Sequence, residues 1–217
     1  MRELRYYVAH TLTGRYVSER REEIMTKRTL VLLYPGAISY EVMYAIECLG
    51  AYGRVDITTP ENHNHTDSSG LRICPTVNFE DICITNYQAL LIPGGNPDSI
   101  MGSDQIASFI QKAYGSSLVI GGICAGVLVL ARAGILKGVK ITHNYTEKYA
   151  PESSVQLTRP YWEGAIYEES LVQVDKRIVT AMPNGYVDFG LAVAEALELL
   201  DRKQKQFILS YHKQGAH

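Results

Sequence analysis

The chain has 217 residues, 46% of them hydrophobic and 20% charged, with a formal net charge of -2. Those values describe an ordinary globular chain long enough to bury a sizeable core, and they exclude a disordered or fibrous protein. The near-balanced charge leaves no basic footprint for nucleic acid, and no apolar run approaches the ~20 residues that span a bilayer.

Residues 1–26 are polar and rich in Arg and Glu, without the apolar core of a signal peptide. They are expected to form an N-terminal extension to a single domain over residues 27–217. The four cysteines, Cys48, Cys74, Cys83 and Cys124, lie far apart with no C-x-x-C pair. That spacing argues against a zinc site or a disulfide framework and for a reducing, cytoplasmic setting. In such a setting the sequons at Asn64 and Asn144 are chance matches.

The first strand is the continuous apolar run Thr29–Tyr34, of the kind covered on both faces of a parallel sheet. Pro35-Gly36 ends it, Ser39 reads as an N-cap, and Val42, Ile46 and Leu49 give the apolar stripe of a helix. Val55–Thr59 is a second strand. Residues 61–86 are loop-rich, with strand-like pieces at Leu71–Ile73 and Val77–Phe79. Ala89–Ile92 is the third buried strand, closed by Pro93-Gly94-Gly95, and a helix over about 103–114 follows. Ser117–Ile123 is the fourth strand. Past it, Val139–Thr142 reads as a further short strand ending at His143. Leu171–Val174 and Arg177–Ala181 form a hairpin, and a long helix runs from Gly185 to Leu200, followed by a helical tail. This alternation predicts a three-layer α/β/α sandwich around a mostly parallel, flavodoxin-like sheet, in which ligands sit at the carboxyl ends of the strands.

Four features gather at those strand ends. Gly122-x-Cys124-x-Gly126 closes the fourth strand and opens a small-residue helix. This is the spacing of a nucleophile elbow, with sulfur in place of a hydroxyl. The helix dipole aimed at the sulfur is expected to favour thiolate over thiol. The competing reading is a buried structural cysteine. Glu41, in the first turn of the first helix, is either a common dipole partner or a carboxyl directed across the sheet edge at Cys124. Gly94 and Gly95 are either plain turn formers or, with Ala125, backbone donors of an oxyanion hole. His143 is either a structural histidine or a general acid or base beside the cysteine, with Glu147 and Asp188 the acidic candidates to orient it. His63 and His65 lie in a loop with no third ligand and read as exposed. Tyr161-Trp162 is either packing or a pocket mouth.

Together, Leu30–Tyr34 with Glu41, Ala89–Gly95, Gly121–Gly126, the segment Ala131–Gly138 followed by Ile141-Thr142-His143, and Ile178–Ala181 resemble the DJ-1/PfpI (ThiJ-like) superfamily of the class I glutamine-amidotransferase-like fold. The resemblance covers about residues 28–200. It implies a reactive Cys124, contacted by Glu41 and accompanied by His143, in a homodimer or larger assembly that needs no metal or organic cofactor. The superfamily includes glyoxalases, isocyanide hydratases, proteases, chaperone-like proteins and redox-responsive proteins. Two departures narrow the field. The protease branch has a His directly after the nucleophile, where this chain has Ala125. The amidotransferase triad has His-x-Glu, where this chain has His143-Asn144-Tyr145. Peptidase and glutamine-hydrolysing activity are therefore not expected. The sequence supports hydration or hydrolysis of a small electrophilic, carbonyl-type substrate at Cys124. Its rivals are a redox-responsive or chaperone-like protein using the same oxidisable cysteine, and a non-catalytic small-ligand module. The expected partner is a small-molecule substrate or oxidant, with neither nucleic acid nor membrane.

Overall fold

The structure, a computed structural model, describes residues 28–214, so the N-terminal extension expected over residues 1–26 lies outside the described residues. In chain order the elements are β1 (Arg28–Leu32), α1 (Tyr40–Gly50), β2 (Arg54–Thr58), β3 (His65–Thr66), β4 (Arg72–Ile73), β5 (Tyr87–Ile92), α2 (Asp98–Met101), α3 (Asp104–Gly115), β6 (Val119–Ile123) and α4 (Ala125–Arg132). There follow β7 (Lys140–Ile141), α5 (Glu152–Thr158), β8 (Ile166–Tyr167), β9 (Val172–Asp175), β10 (Ile178–Ala181), α6 (Tyr186–Ala196) and α7 (Arg202–Gln214).

Six strands form the main sheet in the order β2-β1-β5-β6-β10-β9. All its pairings are parallel except the β9–β10 hairpin at one edge. Leaving aside the small β3–β4 hairpin, the parallel strands follow the flavodoxin-like order, and the chain reverses direction between β1 and β5, where such sheets bind ligands. The three central runs are apolar throughout because helices cover both faces. Leu30 to Leu32 and Ala89 to Ile92 are at most 1% exposed. The adjacent glycines of β6 mark the two layers. A methyl group at Gly121 would lie 2.8 Å from Phe189 of α6, and one at Gly122 would lie 2.8 Å from Leu130 of α4. Successive strand residues face opposite sides, so α4 and α6 press on β6 from opposite layers. Helix α1 lies alongside α6.

Away from the carboxyl ends of the strands, Asp56 of β2 is 1% exposed. It accepts hydrogen bonds from Arg54 Nε at 2.6 Å, Tyr87 Oη at 3.0 Å and Arg28 at 3.5 Å. Asp56→Ala would leave the Tyr87 hydroxyl without its acceptor, whereas the half-exposed arginines would return to water. The expected loss is about 2 kcal/mol, read as a lower urea midpoint with an unchanged slope.

Several local expectations change. Ser39 precedes α1, but its backbone is already helical (φ -60°, ψ -34°) and its side chain makes no capping bond. Val77–Phe79 does not form a strand; Phe79–Asp81 is a short 3-10 turn whose ring packs into the core. His65 is half-buried in β3 rather than exposed, while His63 is exposed. The larger change concerns β7. It does not extend the main sheet but pairs in parallel with β8 as a separate two-stranded ribbon. Beside β6 the sheet instead takes β10, whose residues are all buried, whereas Lys140 of β7 is exposed. A strand with a charged residue on one face suits an edge, not a position covered on both sides.

Candidate active site

The elbow is a strained turn. Cys124 joins β6 to α4 at φ 56° and ψ -127°, a region that costs an L-residue on the order of 1–3 kcal/mol and that packing must hold in place. Two backbone bonds do so: Cys124 N–H donates to Ala181 of β10 at 2.9 Å, and Val127 N–H donates to the Cys124 carbonyl at 3.1 Å. The sulfur thereby emerges half-buried at the carboxyl edge of the sheet.

Glu41 reaches that sulfur from α1. Its side chain is fully buried, and Oε2 accepts the Gly94 N–H at 2.7 Å. Gly94 has no room for a side chain here, since a Cβ would lie 2.5 Å from Cys124 Cβ and 2.7 Å from both its Sγ and Glu41 Oε2. Gly95, at φ 113°, turns the chain away. Tyr34, at the end of the first apolar run, is 1% exposed and directs its hydroxyl at the carbonyls of Pro93 and Gly94, at 2.9 and 2.8 Å. Ile38 N–H also donates to the Gly94 carbonyl, at 2.9 Å. The turn that carries the Glu41 partner is therefore fixed from three sides.

Burial pushes the Glu41 carboxyl up to about 7, against the opposing pull of its hydrogen bonds from Gly94 and from the thiol. Burial, and then the Glu41 charge, push the Cys124 thiol up to about 12, although the N–H groups of Ala125 and Gly95 point at the sulfur and favour the thiolate. The expectation of a thiolate preformed by the helix dipole is thus corrected. Desolvation and a neighbouring carboxylate outweigh two amides and one helix end. Between about 7 and about 12 the pair holds a single proton across the contact.

The other predicted residues divide. Gly95 and Ala125 present their amides at the sulfur. The Gly94 amide is engaged by Glu41, so it is not free to hold an oxyanion as expected. His143 is 4% exposed, and its Nδ1 accepts the N–H of Tyr145 at 3.1 Å. Its ring stacks on Trp162 at 4.0 Å and 10°, with Tyr167 at 5.0 Å. Burial lowers its pKa to about 4, so the ring is neutral near pH 7. With Nδ1 accepting, the ring proton sits on Nε2. A neutral ring in that tautomer donates through Nε2 and has no free lone pair with which to act as a base. Thr142 seats this segment: its N–H donates to Thr180 Oγ1 at 2.9 Å and its hydroxyl to the Ser170 carbonyl at 2.7 Å. Neither Glu147 nor Asp188 orients His143 by a hydrogen bond. Asp188 pairs with Lys213 of α7 instead, at 2.7 Å.

Two tyrosines near the sulfur were not singled out from the sequence. Tyr34 reads only as the last residue of the apolar run Thr29–Tyr34. Tyr145 follows His143 by two residues, and its ionisation is opposed by burial and by the charges of Cys124, Asp98 and Glu41. An open depression of about 510 Å³ is lined by His143, Tyr145, Val155, Tyr167 and the Lys148–Glu169 pair. Among the described residues no cluster of His, Cys, Asp and Glu side chains is arranged to hold a metal ion.

Comparison with known proteins places this geometry in context. A model of the DJ-1/PfpI family matches residues 27–196. An uncharacterised protein of Methanocaldococcus jannaschii is 30% identical over 188 residues, covering 83% of this chain and 87% of the relative. The glutathione-independent glyoxalase DJR-1.2 of Caenorhabditis elegans is 29% identical over 133 residues, 60% of this chain and 66% of the relative. Among solved structures, a thiJ/pfpI family protein from Bacillus anthracis superposes with a TM-score of 0.76 at 20% identity, over 89% of this chain and 93% of the other.

Proposed function

The chain belongs to the DJ-1/PfpI family, and from that premise we propose that it is a cysteine-dependent enzyme in which Cys124 adds to the electrophilic carbon of a small carbonyl compound. One observation carries the reading: a half-buried sulfur on a strained turn faces the Glu41 carboxyl on one side and the amides of Ala125 and Gly95 on the other. The proton shared by Glu41 and Cys124 stays with the carboxyl as the sulfur's electron pair forms the S–C bond. The C=O π bond breaks onto oxygen, the two amides hold the developing charge, and the Glu41 proton then passes to that oxygen. The step is redox-neutral and leaves a covalent S–C–OH adduct for attack by water or proton rearrangement. The C. elegans relative is a glyoxalase by name, which supports carbonyl chemistry of this kind.

The rival reading, an oxidant sensor, uses the same sulfur, and selective oxygen addition at Cys124 after mild peroxide, without turnover of the panel below, would favour it. The proposal takes residues 27–217 as one domain, a small molecule as the partner, and a homodimer or larger as the assembly.

The test is turnover of a panel of small aldehydes and 2-oxoaldehydes, methylglyoxal included. Cys124→Ala should reduce turnover to the uncatalysed background, a loss of at least ~1000-fold, with the melting temperature nearly unchanged. Turnover that survives Cys124→Ala would end the proposal.

A further inference from the structure

Resting on the carbonyl-addition reading above, we propose that the Tyr145 hydroxyl is a catalytic hydrogen-bond donor to the substrate oxygen, with His143 a positioning residue that sets Tyr145 in place. The observations come from geometry. His143 is enclosed: it is stacked on Trp162, flanked by Tyr167 and 4% exposed, and its one accepting nitrogen is taken by the backbone of Tyr145. A ring held in that way cannot take up a proton without losing the Tyr145 bond. That same bond fixes the backbone of Tyr145.

Tyr145 is placed differently. It is half-buried, lies on the wall of the open depression, and its ring is tilted against Trp162 at 5.8 Å. Among the described residues its hydroxyl has no hydrogen-bond partner, in contrast to the Tyr34 hydroxyl, which is bound to two carbonyls. Burial, and then the charges of Cys124, Asp98 and Glu41, oppose ionisation of Tyr145, so its hydroxyl stays protonated and able to donate. Tyr145 both lines the depression and lies near enough to Cys124 to feel its charge, so a substrate that rests there and reaches Cys124 has the Tyr145 ring beside it. The Gly94 amide being engaged by Glu41 leaves two backbone donors at the sulfur. A third donor from the depression side is what a developing oxyanion lacks.

Tyr145→Phe removes one oxygen atom and keeps the ring. With methylglyoxal as substrate, kcat should fall about 100-fold, the order seen when one oxyanion donor is deleted, with KM little changed. Alkylation of Cys124 by iodoacetamide, in which no oxyanion develops, should proceed at the unaltered rate. Full turnover in Tyr145→Phe would overturn this inference and leave the carbonyl-addition reading standing. Alkylation that slows in parallel with turnover would also overturn it, because Tyr145 would then act on the sulfur and not on the substrate. Absence of Cys124-dependent turnover in the unaltered protein would overturn both.

Discussion

Exchanging Glu41 for Gln should slow Cys124-dependent turnover by about 100-fold or more near neutral pH, within the range usual for losing a positioned acid–base group. It should also abolish the rise of rate through about pH 7. The carboxyl is raised to about 7 by burial. Below that pH carboxyl and thiol are both protonated and the sulfur is a poor nucleophile. Above it the carboxylate takes up the thiol proton as attack begins, so activity climbs as pH rises through about 7. The introduced glutamine would still accept the Gly94 N–H through its amide oxygen, so the turn is kept while the titration is lost. Iodoacetamide labelling followed from about pH 5 to 10 reads this directly. An unchanged profile in Glu41→Gln would show that another group governs the sulfur.

The same substitution has a stability signature of defined sign. The folded-state pKa of Glu41 is raised above its ordinary 4.5, so the folded protein binds more protons than the unfolded chain between about 4.5 and 7. The associated stability is fully present below that window and is lost as pH rises through it, on the order of 3 kcal/mol. Glu41→Gln should therefore gain relative to the unaltered protein at about pH 8 and lose that advantage at about pH 4. A stability difference independent of pH would mean that Glu41 is not the buried acid described.

What the sequence disclosed about this site follows the range of the interactions. The runs Leu30–Leu32 and Ala89–Ile92 read as covered strands because burial on both faces leaves an unbroken apolar signature. Gly122-x-Cys124-x-Gly126 read as an elbow because close packing at both flanks admits only glycine. Glu41 lies at a helix start next to a strand end, and topology alone carries it to the sulfur. The surroundings of His143 were not legible. Its partners Trp162 and Tyr167 come from a segment without periodicity, and Thr142 is tied to Thr180 through a side-chain hydroxyl. The state of the sulfur was also beyond a local reading. The helix dipole is visible in sequence, whereas the desolvation that overrides it depends on everything packed around Cys124. The Gly94 amide could be assigned to an oxyanion or to Glu41 only once the distance between them was known.

Gly126→Ala should be strongly damaging, because the added methyl group meets backbone on arrival. A Cβ at Gly126 would lie 2.1 Å from the Ile92 carbonyl oxygen and 2.8 Å from that of Pro93. Both are backbone atoms at the end of a central strand, so neither can turn aside as a side chain would. Relief requires α4 to withdraw from β5, which pulls Ala125 and its amide away from the sulfur. The expected cost is about 3 kcal/mol, at the upper end for overpacking, together with loss of Cys124-dependent turnover. Gly115 supplies the control: it ends α3, a Cβ there meets nothing within 4 Å, and its φ is not positive. Gly115→Ala should be neutral or stabilising by about 0.5 kcal/mol through the unfolded chain. Urea midpoints of the two variants therefore separate crowding at the elbow from the general effect of replacing glycine. A Gly126→Ala protein as stable as Gly115→Ala, and still active, would mean that α4 need not start against β5. The glycine spacing around Cys124 would then have lost its physical cause.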